Sequence, residues 1–268
     1  MADPQQLLLL ARDVVEKAAD LVAGARAEAL GRVQTKSSPT DPVTAADRAA
    51  EQFVVEALLA ARPDDGVLGE EGGARAGTSG VRWVLDPIDG TVNYLYGIPA
   101  YAVSLAAQVD GATVAGVVRN VATGEEWTAL TGGGAYRDGV RLGGSGETRL
   151  DRALVGTGFA YDAARRRHQA GVLVEVLPRV RDIRRFGSAA LDLCAAAEGR
   201  LDAYYEWGLS PWDLAAGELV AREAGLVVSG LRGRPAGEPL TVAAPPALHG
   251  DLHDLLAAMD ADGEPSAR

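Results

Sequence analysis

Residues 83–91, with the sequence WVLDPIDGT, combine an apolar strand pattern with a group of polar side chains. Asp86 closes the apolar run, and the proline that follows it forces a turn. Asp89 and Gly90 then bring a second carboxylate back beside the first, before a short helix begins near Thr91. The stretch therefore predicts a strand-to-helix turn that gathers carboxylates on one side.

This turn has two interpretations. The carboxylates of Asp86 and Asp89 and the Ile88 carbonyl can converge on a hard cation such as Mg²⁺, which takes oxygen ligands at about 2.0 to 2.1 Å. The backbone N–H groups of Gly90 and Thr91 at the helix start would then favour a bound phosphate through hydrogen bonds and the helix dipole. In the alternative, the acidic residues and the glycine only shape a polar turn.

Each of the other acidic residues also has both a structural and a functional interpretation when it is taken alone. Glu70 lies in a Gly-rich segment, where a solvated charged loop explains it as well as a metal site does. Asp47 follows Thr44 at the spacing of a helix capping box, and Asp213 follows Ser210 in the same way. A capping box needs no further function.

The composition narrows the class of protein. The chain has 268 residues, and 26 basic against 37 acidic side chains give a net charge of −11, which argues against nucleic-acid binding and against docking on an anionic membrane. Apolar residues make up 47% and charged residues 24%, as in a globular protein. No apolar run approaches the roughly 20 residues that cross a bilayer, residues 1–6 lack the basic region of a signal peptide, and Cys194 is the only cysteine. We therefore expect a cytoplasmic protein without an internal disulfide.

Residues 1–145 are predicted to form an N-terminal α+β half that holds the metal-binding motifs. Helices are expected from Asp3 to about Gly31 and from Thr44 to Pro63, with a polar stretch between them. After a Gly-rich loop, alternating or β-branched segments separated by turn residues predict an antiparallel meander. The loop is expected at 69–80, and the strands at 81–85, 102–109, 113–118 and 125–130.

Residues 146–268 are predicted to form a C-terminal α/β half that completes the site, because strand and helix patterns alternate there. The polar residues from 260 onward are expected to fray. Strands are expected at 153–159, 182–186, 202–206 and 226–229, and helices at 162–177, 189–198, 214–224 and 246–259.

Taken together and in this order, the acidic segments resemble the inositol monophosphatase family of magnesium-dependent, lithium-sensitive phosphatases. The resemblance covers residues 35–225, and the pairing of DPIDGT with WDLAAG at this separation is its most specific part. Within the family, the pattern is similar to that of bacterial inositol-1-monophosphatases. The matching segments are DPVTAAD at 41–47, GEE at 69–71, WVLDPIDGTVNY at 83–94, GIPAYAVSLA at 97–106, and a run at 184–225 that contains RRFGSAALDLC, DAYYE and SPWDLAAG.

The resemblance implies a layered αβαβα sandwich, the type shared by inositol monophosphatases and fructose-1,6-bisphosphatases, with two or three Mg²⁺ ions in its site. Glu70, Asp86 and the Ile88 carbonyl would hold the first ion. The second ion would be held by Asp86, Asp89 and Asp213. Without metal these carboxylates would repel one another and raise their own pKa values, and bound Mg²⁺ would make the same place attract a phosphate dianion.

The resemblance also implies catalytic and substrate-binding positions. Glu70 and Thr91 would orient a metal-bound water, and Asp47 would hydrogen-bond Thr91 from behind. The positions that would contact the phosphate or the inositol hydroxyls are Asp89, Gly90, Thr91, Ser188, Ala189 and Glu206.

The activity implied by the resemblance is hydrolysis of inositol 1-phosphate, or of a similar small polyol phosphate, by a homodimer. Phosphatases for histidinol phosphate, fructose 1,6-bisphosphate and 3′-phosphoadenosine 5′-phosphate share the metal motif and stay open, although Glu206 favours inositol. A mainly non-catalytic binding role in transcription is the alternative from a different class. The sequence departs from the family pattern at Gly72 and Gly73, which would loosen the loop that carries Glu70.

Overall fold

The structure is a computed structural model that describes residues 2–29, 34–35 and 42–263. The predicted end of the first helix near Gly31, most of the polar stretch before Pro42 and the last residues of the tail lie outside this range. None of the helices in the described ranges has the length and apolar character needed to cross a membrane. The helices are α1 (Pro4–Ala29), α2 (Ala45–Ala61), α3 (Thr91–Tyr96), α4 (Ala163–Val176), α5 (Ala189–Glu198), α6 (Pro211–Glu223) and α7 (Pro246–Ala258), with short 3-10 turns at Leu150–Arg152 and Leu177–Arg179.

The first large sheet is built on the strand that carries the metal motif. Along the sheet the described strands follow the order β10-β9-β8-β7-β6-β5-β3-β4, antiparallel except where β3 and β5 pair in parallel. The register between β5 and β6 shifts between Asp86 and Asp89, where Pro87 has no N–H to donate. The strands are β3 (Gly66–Gly69), β4 (Gly73–Arg75), β5 (Val81–Asp89), β6 (Ala102–Val109), β7 (Ala112–Asn120), β8 (Glu126–Leu130), β9 (Gly134–Arg137) and β10 (Val140–Arg141), preceded by the short pair β1 (Gln34–Thr35) and β2 (Pro42–Val43).

The second large sheet is mixed. Its described strands follow the order β12-β11-β13-β15-β14, in which β11 pairs in parallel with both of its neighbours. The strand β15 lies antiparallel between β13 and β14. The strands are β11 (Leu154–Thr157), β12 (Asp182–Arg184), β13 (Ala203–Trp207), β14 (Val227–Ser229) and β15 (Leu240–Ala244).

The layers follow the predicted αβαβα order. Helices α1 and α2 pack on the outer face of the first sheet, where Trp83 and Leu105 are fully buried. Helices α5 and α6 lie between the two sheets, in a core that joins Trp127 of the first sheet to Tyr204 of the second. Helices α4 and α7 cover the outer face of the second sheet. The layered fold is therefore confirmed.

Most predicted elements are present, and the errors concentrate in short strands. The segment 69–80 was expected to be a loop, but β3 ends inside it and β4 lies within it. The prediction missed β15 entirely, although all of its residues are buried, and ended β5 at Leu85 instead of Asp89. Helix α6 begins at Pro211 with Ser210 as its N-cap, which confirms the predicted capping box and lies three residues before the start expected from the strand–helix alternation. The division of the chain at 145/146 into two halves stays a prediction.

Candidate active site

Three carboxylates meet where β5 ends. Asp86 and Asp89 come from the last residues of β5, and Asp213 comes from the first turn of α6. Each offers one oxygen atom, and these atoms all lie within 4.8 Å of one another. Asp86 and Asp89 are buried. The structure therefore brings together three of the four predicted carboxylate ligands.

Each of these carboxylates accepts a hydrogen bond from a backbone N–H group, and Asp89 also accepts one from a hydroxyl group. The donors come from Ile88 near the end of β5 and from the starts of α5 and α6, where N–H groups and the helix dipole favour negative charge. The hydrogen bonds run from Ile88 N–H to Asp86 Oδ1 (3.0 Å), from Ser188 Oγ and Ala190 N–H to Asp89 Oδ2 (both 2.7 Å), and from Ser210 N–H to Asp213 Oδ2 (2.7 Å).

The carboxylates are electrostatically unfavourable as a bare group. Burial raises the pKa of Asp86 well above its ordinary value, and the charges of Glu70, Asp89 and Asp213 raise it further. Burial also raises the pKa of Asp213, to which Asp89 and Glu70 add. A divalent cation removes both penalties, and an all-oxygen donor set suits hard cations. The residues present therefore fit a divalent metal.

Glu70, the fourth predicted carboxylate, lies beside this cluster and not within it. It directly follows β3 and is half-buried in the lining of the cleft. Its charge and a hydrogen bond to Asp86 both raise the pKa of Asp86, so the two carboxyl groups face each other. Glu70 is thus placed to share a cation with Asp86.

Asp47 both caps a helix and contacts Thr91. Its Oδ2 atom accepts the Thr44 N–H (2.8 Å) and the Thr44 hydroxyl (2.5 Å), which forms the capping box of α2. Its Oδ1 atom lies 3.1 Å from the Thr91 hydroxyl, which also lies 3.0 Å from the Ile88 carbonyl oxygen. The structure therefore places Asp47, Thr91 and Ile88 together behind the carboxylate cluster.

Gly90 occupies a place that only glycine fits. Its φ of 95° lies in the left-handed region, and a Cβ atom there would lie 2.9 Å from the Ala100 carbonyl oxygen. Because Gly90 is the N-cap of α3, this conformation turns the chain from β5 into the helix that starts at Thr91. Gly90 lines the cleft, beside Asp89.

The cleft has a volume of about 460 Å³ and joins the carboxylates to the end of β13. An adjoining cavity of about 490 Å³ shares Arg165, Trp207 and Gly208 with it but contains none of the predicted site residues. The predicted site residues that line the cleft are Glu70, Asp89, Gly90, Ser188, Ala189, Glu206 and Asp213.

Glu206 lines the same cleft, and its charge contributes to the raised pKa of Asp213. Burial raises the pKa of Glu206 to about 7, although the hydrogen bond from the Tyr204 hydroxyl to Oε2 (2.6 Å) works in the opposite direction. A Cβ atom at Gly158 would overlap the Glu206 carboxylate, so glycine is required beside it. Ser188, in contrast, points its hydroxyl at Asp89 and caps α5, which makes it a support for Asp89 as well as part of the lining.

The sequence interpretation missed Tyr204, Arg185 and Asp192. Arg185 lines the cleft, and its charge lowers the pKa values of Asp89 and Glu206. Asp192 is 1% exposed, and its Oδ1 atom has no hydrogen-bond partner among the described residues. An acidic residue within the apolar run of helix α5, which has its other acidic residue, Glu198, only at the last position, is the signal that could have identified it.

A cleft that combines buried carboxylates for divalent cations with a helix start for an anion defines a metal-dependent phosphatase. The chain belongs to the inositol monophosphatase family, whose model matches residues 3–260.

Similar proteins agree with this assignment. Inositol-1-monophosphatase SuhB of Mycobacterium tuberculosis is 48% identical in an alignment of 277 positions that covers 96% of this chain and 94% of that protein. The solved structure of Mycobacterium tuberculosis SuhB matches with a TM-score of 0.84 and 43% identity, covering 98% of this chain and 100% of the other. Nus factor SuhB of Pseudomonas aeruginosa is 44% identical over 203 residues, 72% of this chain and 73% of that protein. The match to the inositol-1-monophosphatase covers more of this chain and has a higher identity than the match to the Nus factor. This difference favours the phosphatase prediction over a mainly non-catalytic role.

The repulsion among the carboxylates leads to a stability prediction for Asp86→Asn. Since the pKa of Asp86 is raised in the folded state, the metal-free protein should lose stability as the pH rises above about 4, where the unfolded chain ionises freely. We expect the metal-free variant to be more stable than wild type at pH 8 by about 1 to 3 kcal/mol, and this difference to vanish near pH 4. Thermal unfolding in a chelator, followed by circular dichroism across this pH range, measures the effect.

Mg²⁺ should raise the melting temperature of the wild type and much less that of Asp86→Asn. The exposed Asp251→Asn on α7 is the matched control and should behave as wild type. Equal melting curves for all three proteins at every pH would contradict the electrostatic argument.

Proposed function

We propose that the protein hydrolyses inositol 1-phosphate, or a closely similar polyol phosphate monoester, to the polyol and inorganic phosphate, with Mg²⁺ as its cofactor. The observation that carries the proposal is the meeting of Asp86, Asp89 and Asp213 at a cleft whose lining also contains Glu206. The carboxylate cluster suits cations that hold a phosphate, and Glu206 suits hydroxyl groups. The name of the mycobacterial relative supports the inositol substrate.

Two or three divalent cations per site are proposed. Glu70, Asp86 and the Ile88 carbonyl would hold the first cation, and Asp86, Asp89 and Asp213 would hold the second. When bound, such cations neutralise charge on the phosphate and favour the ionisation of water. The net charge of −11 otherwise disfavours anionic ligands, which supports a small substrate bound only at the cations and argues against nucleic acid as a partner.

Thr91 and Glu70 orient the attacking water in this proposal. The Thr91 hydroxyl has a single proton, and donation to Asp47 Oδ1 leaves its oxygen able to accept a hydrogen bond from water. The same arrangement leaves the Ile88 carbonyl available as a ligand. Glu70 accepts the other proton of the water, so that the oxygen lone pair faces the phosphorus atom.

The remaining residues hold the substrate. The N–H groups of Gly90 and Thr91 bind phosphate oxygens at the start of α3. Asp89, the start of α5 at Ser188 and Ala189, and Glu206 accept or donate hydrogen bonds to the polyol hydroxyls. Water attacks phosphorus and gives up one proton, the ester P–O bond breaks, and the polyol oxygen that leaves takes up one proton, so one water is consumed and the products are the free alcohol and hydrogen phosphate.

We also propose that the chain is a lithium-sensitive, cytoplasmic homodimer. Exposed apolar side chains at Tyr96, Ile98 and Phe186 support a dimer, because such groups gain by being covered. The Asn93 side chain joins these segments by donating to the Phe186 carbonyl (2.6 Å). Cys194 is buried and unpaired, as expected in a reducing compartment. Light scattering should give twice the chain mass of 27.8 kDa. Li⁺ should inhibit phosphate release. Cell fractionation should place the protein in the cytoplasm.

The main test is phosphate release from a panel of monoesters with and without Mg²⁺. We expect release to require Mg²⁺, and Asp86→Asn and Asp213→Asn each to lower kcat/KM by at least about a hundredfold, because each substitution removes a metal ligand. The control Asp251→Asn should retain full activity. Undiminished activity in either site variant, or activity without a divalent ion, would disprove the mechanism.

The same panel tests the substrate. Inositol 1-phosphate should exceed histidinol phosphate, fructose 1,6-bisphosphate and 3′-phosphoadenosine 5′-phosphate in kcat/KM. A kcat/KM for one of these compounds that is about tenfold higher or more corresponds to about 1.4 kcal/mol of transition-state binding. That result would show that the proposed substrate is wrong, but it would not contradict the proposed metal site.

A pH dependence follows from Glu206. As the pH falls through about 7, Glu206 takes up a proton and accepts hydrogen bonds from the polyol less well, so KM should rise on the acid side. Tyr204→Phe removes a hydrogen bond that lowers this pKa, and should shift the inflection to higher pH by about one unit.

The KM–pH profiles of four proteins measure this effect. Glu206→Gln should lose the inflection, whereas Tyr205→Phe, on the opposite face of β13, should keep it where wild type has it. A profile that Tyr204→Phe leaves unchanged would show that Glu206 does not set the pH dependence.

A further inference from the structure

Glu51 is a buried carboxylate for which the proposed reaction has no role. It lies on α2 one turn after Asp47, on the face of the helix that also buries Ala50, Val54 and Leu58. Only 5% of its surface is exposed. A carboxylate in such surroundings is costly unless its oxygen atoms are hydrogen-bonded.

Both oxygen atoms of Glu51 bind the loop that carries Glu70. The Glu71 N–H donates to Oε2 (2.9 Å), and the Gly72 N–H donates to Oε1. These are the two consecutive amides that follow Glu70 in the chain. Hydrogen bonds from backbone N–H to a charged acceptor are among the stronger ones in proteins, so the backbone beside Glu70 is held firmly.

The glycines around Glu70 make this contact possible. A Cβ atom at Gly69 would lie 2.6 Å from Glu51 Oε2, and one at Gly72 would lie 2.5 Å from Oε1. Neither glycine has a φ in the left-handed region, so close approach and not backbone conformation requires them. The sequence suggested that Gly72 loosens this loop, whereas in the structure Gly72 allows the loop to dock on a carboxylate.

We propose that Glu51 is a positioning residue that fixes the loop so that the Glu70 carboxylate faces Asp86. The inference rests on the proposed function, in which Glu70 holds a cation and orients water. The inference also assigns one common role to two buried carboxylates of α2. Asp47 holds Thr91 and Glu51 holds the loop of Glu70, so one helix face positions both groups that orient the attacking water.

The principal test is Glu51→Gln, with Glu56→Gln on the exposed side of α2 as its control. Glutamine keeps one acceptor oxygen but turns an NH₂ group toward a backbone N–H, so one of the two hydrogen bonds is replaced by a repulsive contact. In the metal-free protein we expect the amides of Glu71 and Gly72 to exchange with solvent deuterium about tenfold faster or more. Mg²⁺ binding, measured by calorimetry, should weaken by about tenfold, and the Mg²⁺ concentration that gives half-maximal activity should rise by about the same factor.

A second variant keeps the test decisive if Glu51→Gln does not fold. Gly72→Ala places a methyl group against Glu51 Oε1 from an exposed loop, and should reproduce both effects. Its control is Gly143→Ala, because Gly143 is exposed, has an ordinary φ, and has no neighbouring atoms within 4 Å of the added carbon.

The outcomes separate this inference from the proposed function. If the wild type binds no Mg²⁺, the proposed function is wrong whatever Glu51 does. If the wild type binds Mg²⁺ and the Glu51 or Gly72 variant binds it equally well, the positioning role is wrong, even when the loop exchanges faster or the melting temperature falls. Faster exchange together with weaker Mg²⁺ binding, in the variants and not in the controls, is the result that supports it.

Discussion

The repulsion among buried carboxylates at the end of β5 is the constraint on which the rest of the site depends. Pro87 interrupts the ladder between β5 and β6, and the register shift there brings Asp86 and Asp89 to one place inside the protein. Burial and mutual charge raise the pKa of Asp86, which means that ionised carboxylates are electrostatically unfavourable at this strand end without a cation. The layered core on both sides of the sheet has to supply the stability that holds this strand end together without a cation.

Two carboxylates at the site also cap helices. Asp213 completes the cap of α6 through Oδ2, and Asp47 completes the cap of α2 through its own Oδ2. Because a carboxylate has two oxygen atoms and several lone pairs, a capping role and a functional role do not compete. Capping is therefore part of how the site is built, since it sets the direction in which the second oxygen points.

Local sequence patterns predicted the central meander, the alternating C-terminal half and the turn that carries Asp86 and Asp89. The layered sandwich and the grouping of Glu70 and Asp213 with that turn were implied by the resemblance to the family. Local patterns failed at β3, β4 and β15. The strands β3 and β4 are short and border or lie within a Gly-rich segment, and β15 is buried along its whole length, so it shows no alternation of polar and apolar residues. The same limit applies to the site. Asp86 and Asp89 share a turn and could be paired from the sequence, but the contact of Glu51 with Gly72 joins two elements through space. Nothing in the local sequence distinguished a glycine that loosens a loop from one that lets a carboxylate approach.

The net charge of −11 has a different meaning once the site is located. Averaged over the surface, this charge disfavours anionic ligands. Within the cleft, the exposed Arg185 adds a positive charge that lowers the pKa values of Asp89 and Glu206 and partly offsets the effect of burial. The carboxylates gather where three helices begin, so the backbone already supplies partial positive charge to this one place. Cations bound there would reverse the local sign while the surrounding surface stays negative. A phosphate group would then be attracted only at the cations, and the negative surface around them would repel other anionic groups of the same ligand. The acidic surface would therefore favour small phosphate monoesters over larger polyanions.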